Sequence, residues 1–248
     1  MTNKEKTPPK GSVRFSLSLS PEQKRAKTEI LKHPYNFIVG KAGSGKTLLA
    51  VQTALDQFFK RQYNKIIITR PTISTEDNGF LPGSEKEKME PWLVPIRSNM
   101  RKVYNKPHIL EKMEKEEKIE LVSLAHFRGR TFDNSVVIVD EFQNLNRSQL
   151  AMCIGRLGKD SKMIFCGDSY QIDLKDKNWS AYHDMAKLTN SEYVFKTVLE
   201  DSHRHRAIDD LLEFKWLSLK KYHKLFLFKL FIYICLIINL KILNNGKS

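Results

Sequence analysis

Short, continuous apolar runs punctuate the 248-residue chain. They are Phe37–Val39, Lys65–Thr69, Ile119–Leu124, Val136–Val139, Met163–Cys166 and Tyr193–Val198, most of them rich in β-branched residues. A strand that is apolar at consecutive positions is buried on both faces, as in a parallel sheet. Charged, helix-compatible stretches fill most of the intervals, so the pattern predicts an α/β fold: a mostly parallel sheet covered by helices on both faces. Ser20-Pro21-Glu22-Gln23 offers an N-cap, a proline at the first helical position and a glutamine at N3, which predicts a helix over Pro21–Leu31. Glu85–Lys118 is strongly charged and helical in flavour, and Pro91, Pro95 and Pro107 divide it. The expectation there is an outlying helical hairpin rather than core.

The run at Phe37 leads into Gly40-Lys41-Ala42-Gly43-Ser44-Gly45-Lys46-Thr47, a G-x-x-x-x-G-K-T loop, and then into an amphipathic helix over about Lys46–Lys60. Glycines at 40, 43 and 45 let consecutive N–H groups face one phosphate, and the helix N-terminus adds its partial positive charge. Lys46 can then reach the outer phosphates while the Thr47 hydroxyl holds Mg²⁺. The competing reading is a glycine-rich turn without chemistry, and the strand before and helix after weigh against it. Gln23 has a complete structural role in a capping box; its other reading is to contact an adenine edge, as glutamines upstream of the loop do in helicases.

Further acids are delivered to the same edge. Val136–Val139 ends in Asp140-Glu141, where ligands of open α/β sheets bind. Asp140 would hold Mg²⁺ through water and Glu141 would polarise the water that attacks the γ-phosphate. Met163–Cys166 leads to Gly167-Asp168-Ser169-Tyr170-Gln171, whose Asp168 and Gln171 either sense the γ-phosphate and order the water or form a tight turn with Asp168 capping N–H groups. After the last run comes Ser202-His203-Arg204-His205-Arg206. Two histidines with no third ligand argue against zinc, whereas Arg204 can neutralise transition-state charge on phosphate; a solvated basic turn is the alternative.

Charge adds a partner class. The net charge of +14 fits a polyanion, although seven of the lysines lie beyond Glu213, where no acid occurs. Three cysteines without a C-x-x-C spacing fit a reduced, cytoplasmic protein. Three regions follow: a loosely held basic arm over residues 1–19, a nucleotide-binding domain over 20–213 and a tail over 214–248. Leu225–Leu243 approaches the length of a membrane span, but Lys229, Asn239 and Lys241 interrupt it. The tail reads as a replacement of a terminal helix by residues of AT-rich codons rather than as an anchor.

Together these motifs resemble the PhoH family of P-loop ATPases, related to superfamily 1 helicases. The resemblance spans about Gln23 to Asp210 and includes Arg70-Pro71, Gly79–Gly83 with Glu87-Lys88, Arg128–Thr131, Asp140–Asn144 and Gly167–Asp173. Phe142 departs from it by replacing a small residue, and Arg206 by replacing a proline. The resemblance implies a RecA-like domain, and it implies ATP and Mg²⁺ as ligands with Lys46, Glu141, Gln171 and Arg204 acting in hydrolysis. It also implies RNA or another single-stranded nucleic acid as partner, and assembly as a ring. A nucleotide-dependent regulatory binding module and a small-molecule kinase are the alternatives.

Overall fold

The computed structural model describes residues 13–71 and 85–203, with the side chains of 85–90 and 92 left aside. The chain divides into two compact units, Met1–Ser202 and His203–Ser248. All of the elements below belong to the first. The expected arginine Arg204, the Gly79–Gly83 motif and the tail over 214–248 lie outside the described residues, as do residues 1–12 of the arm. No helix among the described residues is long and apolar enough to cross a membrane.

The elements run α1 (Pro21–Lys32), β1 (Tyr35–Gly40), α2 (Lys46–Phe59), β2 (Lys65–Thr69), α3 (Glu85–Val103), α4 (Pro107–Lys115), β3 (Ile119–Leu121), β4 (Ser135–Asp140), α5 (Arg147–Ile154), β5 (Lys162–Gly167), α6 (Met185–Leu188) and β6 (Val194–Leu199). Each of the six runs named above is a strand, the one at Ile119 ending at Leu121 before a 3₁₀ turn over Leu124–Phe127. The six strands form one sheet in the order β3-β2-β4-β5-β1-β6, with every pairing parallel. One strand, β5, therefore separates the strand that enters the glycine loop from the strand that ends in Asp140, the RecA-like arrangement.

Successive residues of a strand point to opposite faces, and the continuous apolar runs supply two cores from one set of strands. Ile38, Ile66, Ile68, Val136, Ile138 and Ile164 pack with α1, α2, α3 and α4. Their neighbours Phe37, Val39, Ile67, Val137, Val139 and Phe165 pack on the other face with α5, α6 and the segment around Phe142. Phe37 and Phe165, paired across β1 and β5, stack with ring centroids 4.6 Å apart. At roughly 25 cal/mol per Å² of apolar area buried, these two layers dominate the stability of the sheet.

The α3–α4 pair is not an outlying hairpin. Leu93, Ile96, Met100 and Val103 fall at helical spacing and are buried, as are Leu110 and Met113 of α4, all within the core shared with α2. Pro91 and Pro95 lie inside α3 instead of dividing it, and only Pro107 begins a helix. A proline in a helix interior costs about 3 kcal/mol, so the two cost about 6 kcal/mol, which four buried apolar side chains at about 1.5–3 kcal/mol each offset. Residues 13–19, within the stretch set apart as an arm, also lie against this layer: Val13, Phe15 and Leu19 pack on the core, and Ser16 N–H donates to Val103 O over 2.9 Å.

Candidate nucleotide-binding site

The first helix braces the glycine loop from beneath. Ser20 and Gln23 close a full capping box at the start of α1; Gln23 Oε1 accepts from Ser20 N–H and its Nε2 donates to Ser44 O over 3.1 Å. The side chain of Gln23 is thus used both as a cap and as a brace on the loop. Of the eight loop residues, Gly40 ends β1, where a Cβ would fall 2.3 Å from Leu199 O of the neighbouring strand. Gly45 takes the left-handed conformation at φ 80° and forms the N-cap of α2 without any side-chain cap. The first amides of α2 are therefore left to an external anion, which the helix dipole also favours. Lys41 is exposed, Ala42 and Gly43 are half-buried and Ser44 is buried. Lys46 folds its ammonium onto Gly40 O at 2.8 Å and Lys41 O at 2.9 Å.

The acids meet this loop across the sheet. Thr47 Oγ1 donates to Asp140 Oδ1 over 2.8 Å, joining residues 93 positions apart. Asp140 is buried, and burial, then the neighbouring Glu141, push its carboxyl up to about 6, while Arg70, Thr47 and Lys46 act in the opposite direction. Glu141 sits in the left-handed region at φ 54° and ψ 41°. Strained backbone at a non-glycine residue is held by its surroundings, and here Gln143 supplies part of that hold.

Gln143 is fully buried and its amide is completely engaged. Nε2 donates to Glu141 Oε2 at 2.6 Å and to Gln171 O at 3.0 Å, while Oε1 accepts from Asp168 N–H at 3.1 Å. Asp168 caps Tyr170 N–H and accepts from Gln171 Nε2, both at 2.9 Å. The turn reading of Asp168 and Gln171 is thus realised, and through Gln143 that turn is tied to Glu141. The loop residues, Gln23, Asp140, Glu141, Asp168 and Gln171 come together at one edge of the sheet.

Two residues of this cluster were not singled out as site residues by sequence reasoning. In the sequence Arg70 stands only as part of the Arg70-Pro71 signature, yet its guanidinium lies near both acids, 4.0 Å from Asp140 Oδ2 and 3.5 Å from Glu141 Oε1. Gln143 lies two residues past Glu141 in the same motif. The Arg128–Thr131 signature lies elsewhere: Arg130 pairs with Glu120 of β3 at 2.7 Å and covers the Phe132 ring. It borders a groove of about 1740 Å³ lined by Ser16, by α3, α4 and β3 and by the segments that adjoin them, without any residue of the glycine loop. Among the described residues no group of three or more acids, histidines or cysteines forms a metal cluster.

Comparison with known proteins gives a family model, PhoH-like protein, that matches residues 17–214. The PhoH-like protein of Mycobacterium leprae is 34% identical over 195 residues, covering 77% of this chain and 56% of that protein. The PhoH-like protein of Bacillus subtilis is 45% identical over 139 residues, 56% of this chain and 43% of that one. The chain spans about half the length of the curated relatives it matches. Among solved structures, the Pif1 helicase of Candida albicans aligns at a TM-score of 0.44 and 17% identity, covering 79% of this chain and 44% of that chain.

Proposed function

The chain belongs to the PhoH-like protein family, and from that premise we propose that it binds and hydrolyses ATP with Mg²⁺ and couples the cycle to remodelling of, or translocation on, RNA. The observation that carries the first half is the 2.8 Å contact of Thr47 Oγ1 with Asp140 Oδ1. It sets a hydroxyl and a buried carboxylate, both hard oxygen donors suited to Mg²⁺, beside uncapped helix amides suited to phosphate. Thr47 and Asp140 would hold the cation, which would supply positive charge against the phosphates.

The remaining steps belong to side chains of this chain. Lys46, now folded onto the loop carbonyls, turns to the outer phosphates once they arrive. Glu141, fixed by Gln143, accepts a hydrogen bond from the attacking water and aligns it. Gln171, which donates to Asp168 Oδ2 at 2.9 Å, takes the part of reading whether a γ-phosphate is present. Arg204 is assigned the transition-state charge, acting within one chain or across a ring.

The RNA half rests on the family and on positive charge, and the described ion pairs narrow the candidate contacts. Arg97 and Arg101 of α3 pair with Glu114 and Glu111 of α4 at 3.1 and 3.7 Å, and Arg130 with Glu120. Arg128, which is exposed, is the better candidate, with the lysines of the Lys86–Lys118 segment other than Lys112, which pairs with Glu116 at 3.9 Å. Multiple-turnover ATP hydrolysis measured with and without single-stranded RNA tests the proposal. Stimulation supports it, slow turnover indifferent to RNA favours a regulatory switch, and a phosphorylated small molecule favours a kinase.

A further inference from the structure

Arg70 is the first residue past β2, and the register that sets Thr69 beside Val139 brings it alongside Asp140. Its Nη1 lies 4.0 Å from Asp140 Oδ2 and its Nη2 lies 3.5 Å from Glu141 Oε1. One guanidinium fork therefore spans both carboxylates, which a point-like ammonium could not do as well. Lys46, another cation near the pair, has its ammonium hydrogen-bonded to Gly40 O and Lys41 O. The Asp140 side chain is 5% exposed and that of Arg70 26%. The acid is enclosed, while its countercation has an open side and can leave.

A divalent cation held at Thr47 and Asp140 would claim the same carboxylate charge. Two adjacent ionised acids without a counterion are costly, so a nearby cation favours the ionised pair before any nucleotide binds. Resting on the reading of this edge as a Mg²⁺–nucleotide site, we propose that Arg70 is the resident countercation of the acid pair. It competes with the divalent cation for Asp140 and Glu141 in the nucleotide-free protein and turns to phosphate oxygens once nucleotide and cation are bound. Arg70 thereby keeps the free site from filling with metal alone, and it becomes a phosphate contact only in the loaded state.

The test is Mn²⁺ binding to the nucleotide-free full chain, followed by electron paramagnetic resonance at pH 8 for wild type, Arg70→Gln and Arg70→Lys. Removing one positive charge a few ångströms from the metal position is expected to tighten Mn²⁺ about tenfold in Arg70→Gln. Arg70→Lys keeps a charge that cannot span both acids and is expected to tighten Mn²⁺ less, in the same direction. Asp140→Asn should remove the binding in each background. Unchanged or weaker Mn²⁺ affinity in folded Arg70→Gln overturns the proposal, and if that variant does not fold, Arg70→Lys decides by the same criterion. Titration with a fluorescent ATP analogue judges the nucleotide reading separately: a wild type that binds Mn²⁺ but no ATP defeats that reading, while the metal comparison still judges Arg70.

Discussion

Nε2 of Gln143 stands 2.6 Å from Oε2 of Glu141 and 3.0 Å from the carbonyl of Gln171. One buried amide thus links the acid that would act on water to the turn that would read the γ-phosphate. Replacing it by leucine keeps the volume but leaves Asp168 N–H and Gln171 O without this partner, a cost of about 1–3 kcal/mol. We expect Gln143→Leu to lower turnover by roughly 10–100-fold, the usual effect of losing a group that orients a catalytic one, with ATP affinity nearly unchanged. Steady-state kinetics beside a nucleotide titration would check this, and wild-type turnover in the folded variant would remove Gln143 from the role.

Lys46 and Glu141 should separate binding from chemistry. Lys46 serves phosphate in both the ground and transition states, so Lys46→Ala should abolish tight ATP binding. Glu141→Gln should bind ATP and fail to turn it over, because its contribution falls on the attacking water. A Glu141→Gln protein with undiminished turnover would take Glu141 out of the mechanism.

Phe142 lies directly beside Gly167 at the end of β5, and the missing side chain there makes room for its ring. A Cβ at Gly167 would fall 2.5 Å from Phe142 Cε1 and 2.9 Å from Gln143 Oε1. The ring is fully buried against Phe37, Phe165 and Tyr182. Gly167→Ala is therefore expected to cost about 1–3 kcal/mol in urea unfolding through overpacking. Phe142→Leu in the same chain should recover part of that loss, and strict additivity of the two changes would refute a direct clash.

Much of this was legible because parallel strands and the glycine loop are local signals. The runs at Phe37, Lys65, Val136 and Met163 are apolar at consecutive positions, and such runs have few stable homes other than a doubly covered sheet. The α3 helix was misread because Pro91 and Pro95 are local breakers, whereas its burial depends on Leu93, Ile96, Met100 and Val103 meeting α2 across space. Arg70 and Gln143 were missed as site residues for a related reason. A guanidinium reaching two acids from another strand, or an amide bonding to residues 2 and 28 positions away, leaves no periodic trace. The i, i+2 spacing of Glu141 and Gln143 was available, but only the register of β4 and β5 shows what the glutamine joins.

Polynucleotide binding, if electrostatic, should weaken steeply as salt rises, with a slope set by the number of phosphates neutralised. The paired state of Arg97, Arg101 and Arg130 predicts a smaller slope than the net charge suggests. Arg128→Ala should reduce that slope by about one phosphate contact. Affinity equal at low and high salt would discard the electrostatic account.

Lys162 offers a test of the fold that is independent of nucleotide. It begins β5 with its side chain buried, and its ammonium donates to Ile30 O at 2.6 Å and to His33 O at the end of α1. Burial lowers its pKa from 10.5 to about 8. The folded protein therefore holds this proton less firmly than the unfolded chain, and the charged form carries a penalty in the fold that is fully present below about pH 8. Between about 8 and 10.5 the unfolded chain binds more protons than the folded one, so this group makes stability rise with pH, by at most about 1.4 kcal/mol per unit. The carbonyls and the dipole at the end of α1 oppose part of the shift, so a smaller slope in the same direction is the expectation. Lys162→Met removes the titration and also leaves the two carbonyls without this donor, at a cost of about 1–3 kcal/mol at pH 7. Urea unfolding of both proteins from pH 7 to 10 isolates the effect, because titrations common to the two cancel in the difference. The stability of wild type relative to Lys162→Met should grow above pH 8; a flat or shrinking difference would mean that Lys162 keeps its proton and that its carbonyl contacts outweigh its burial.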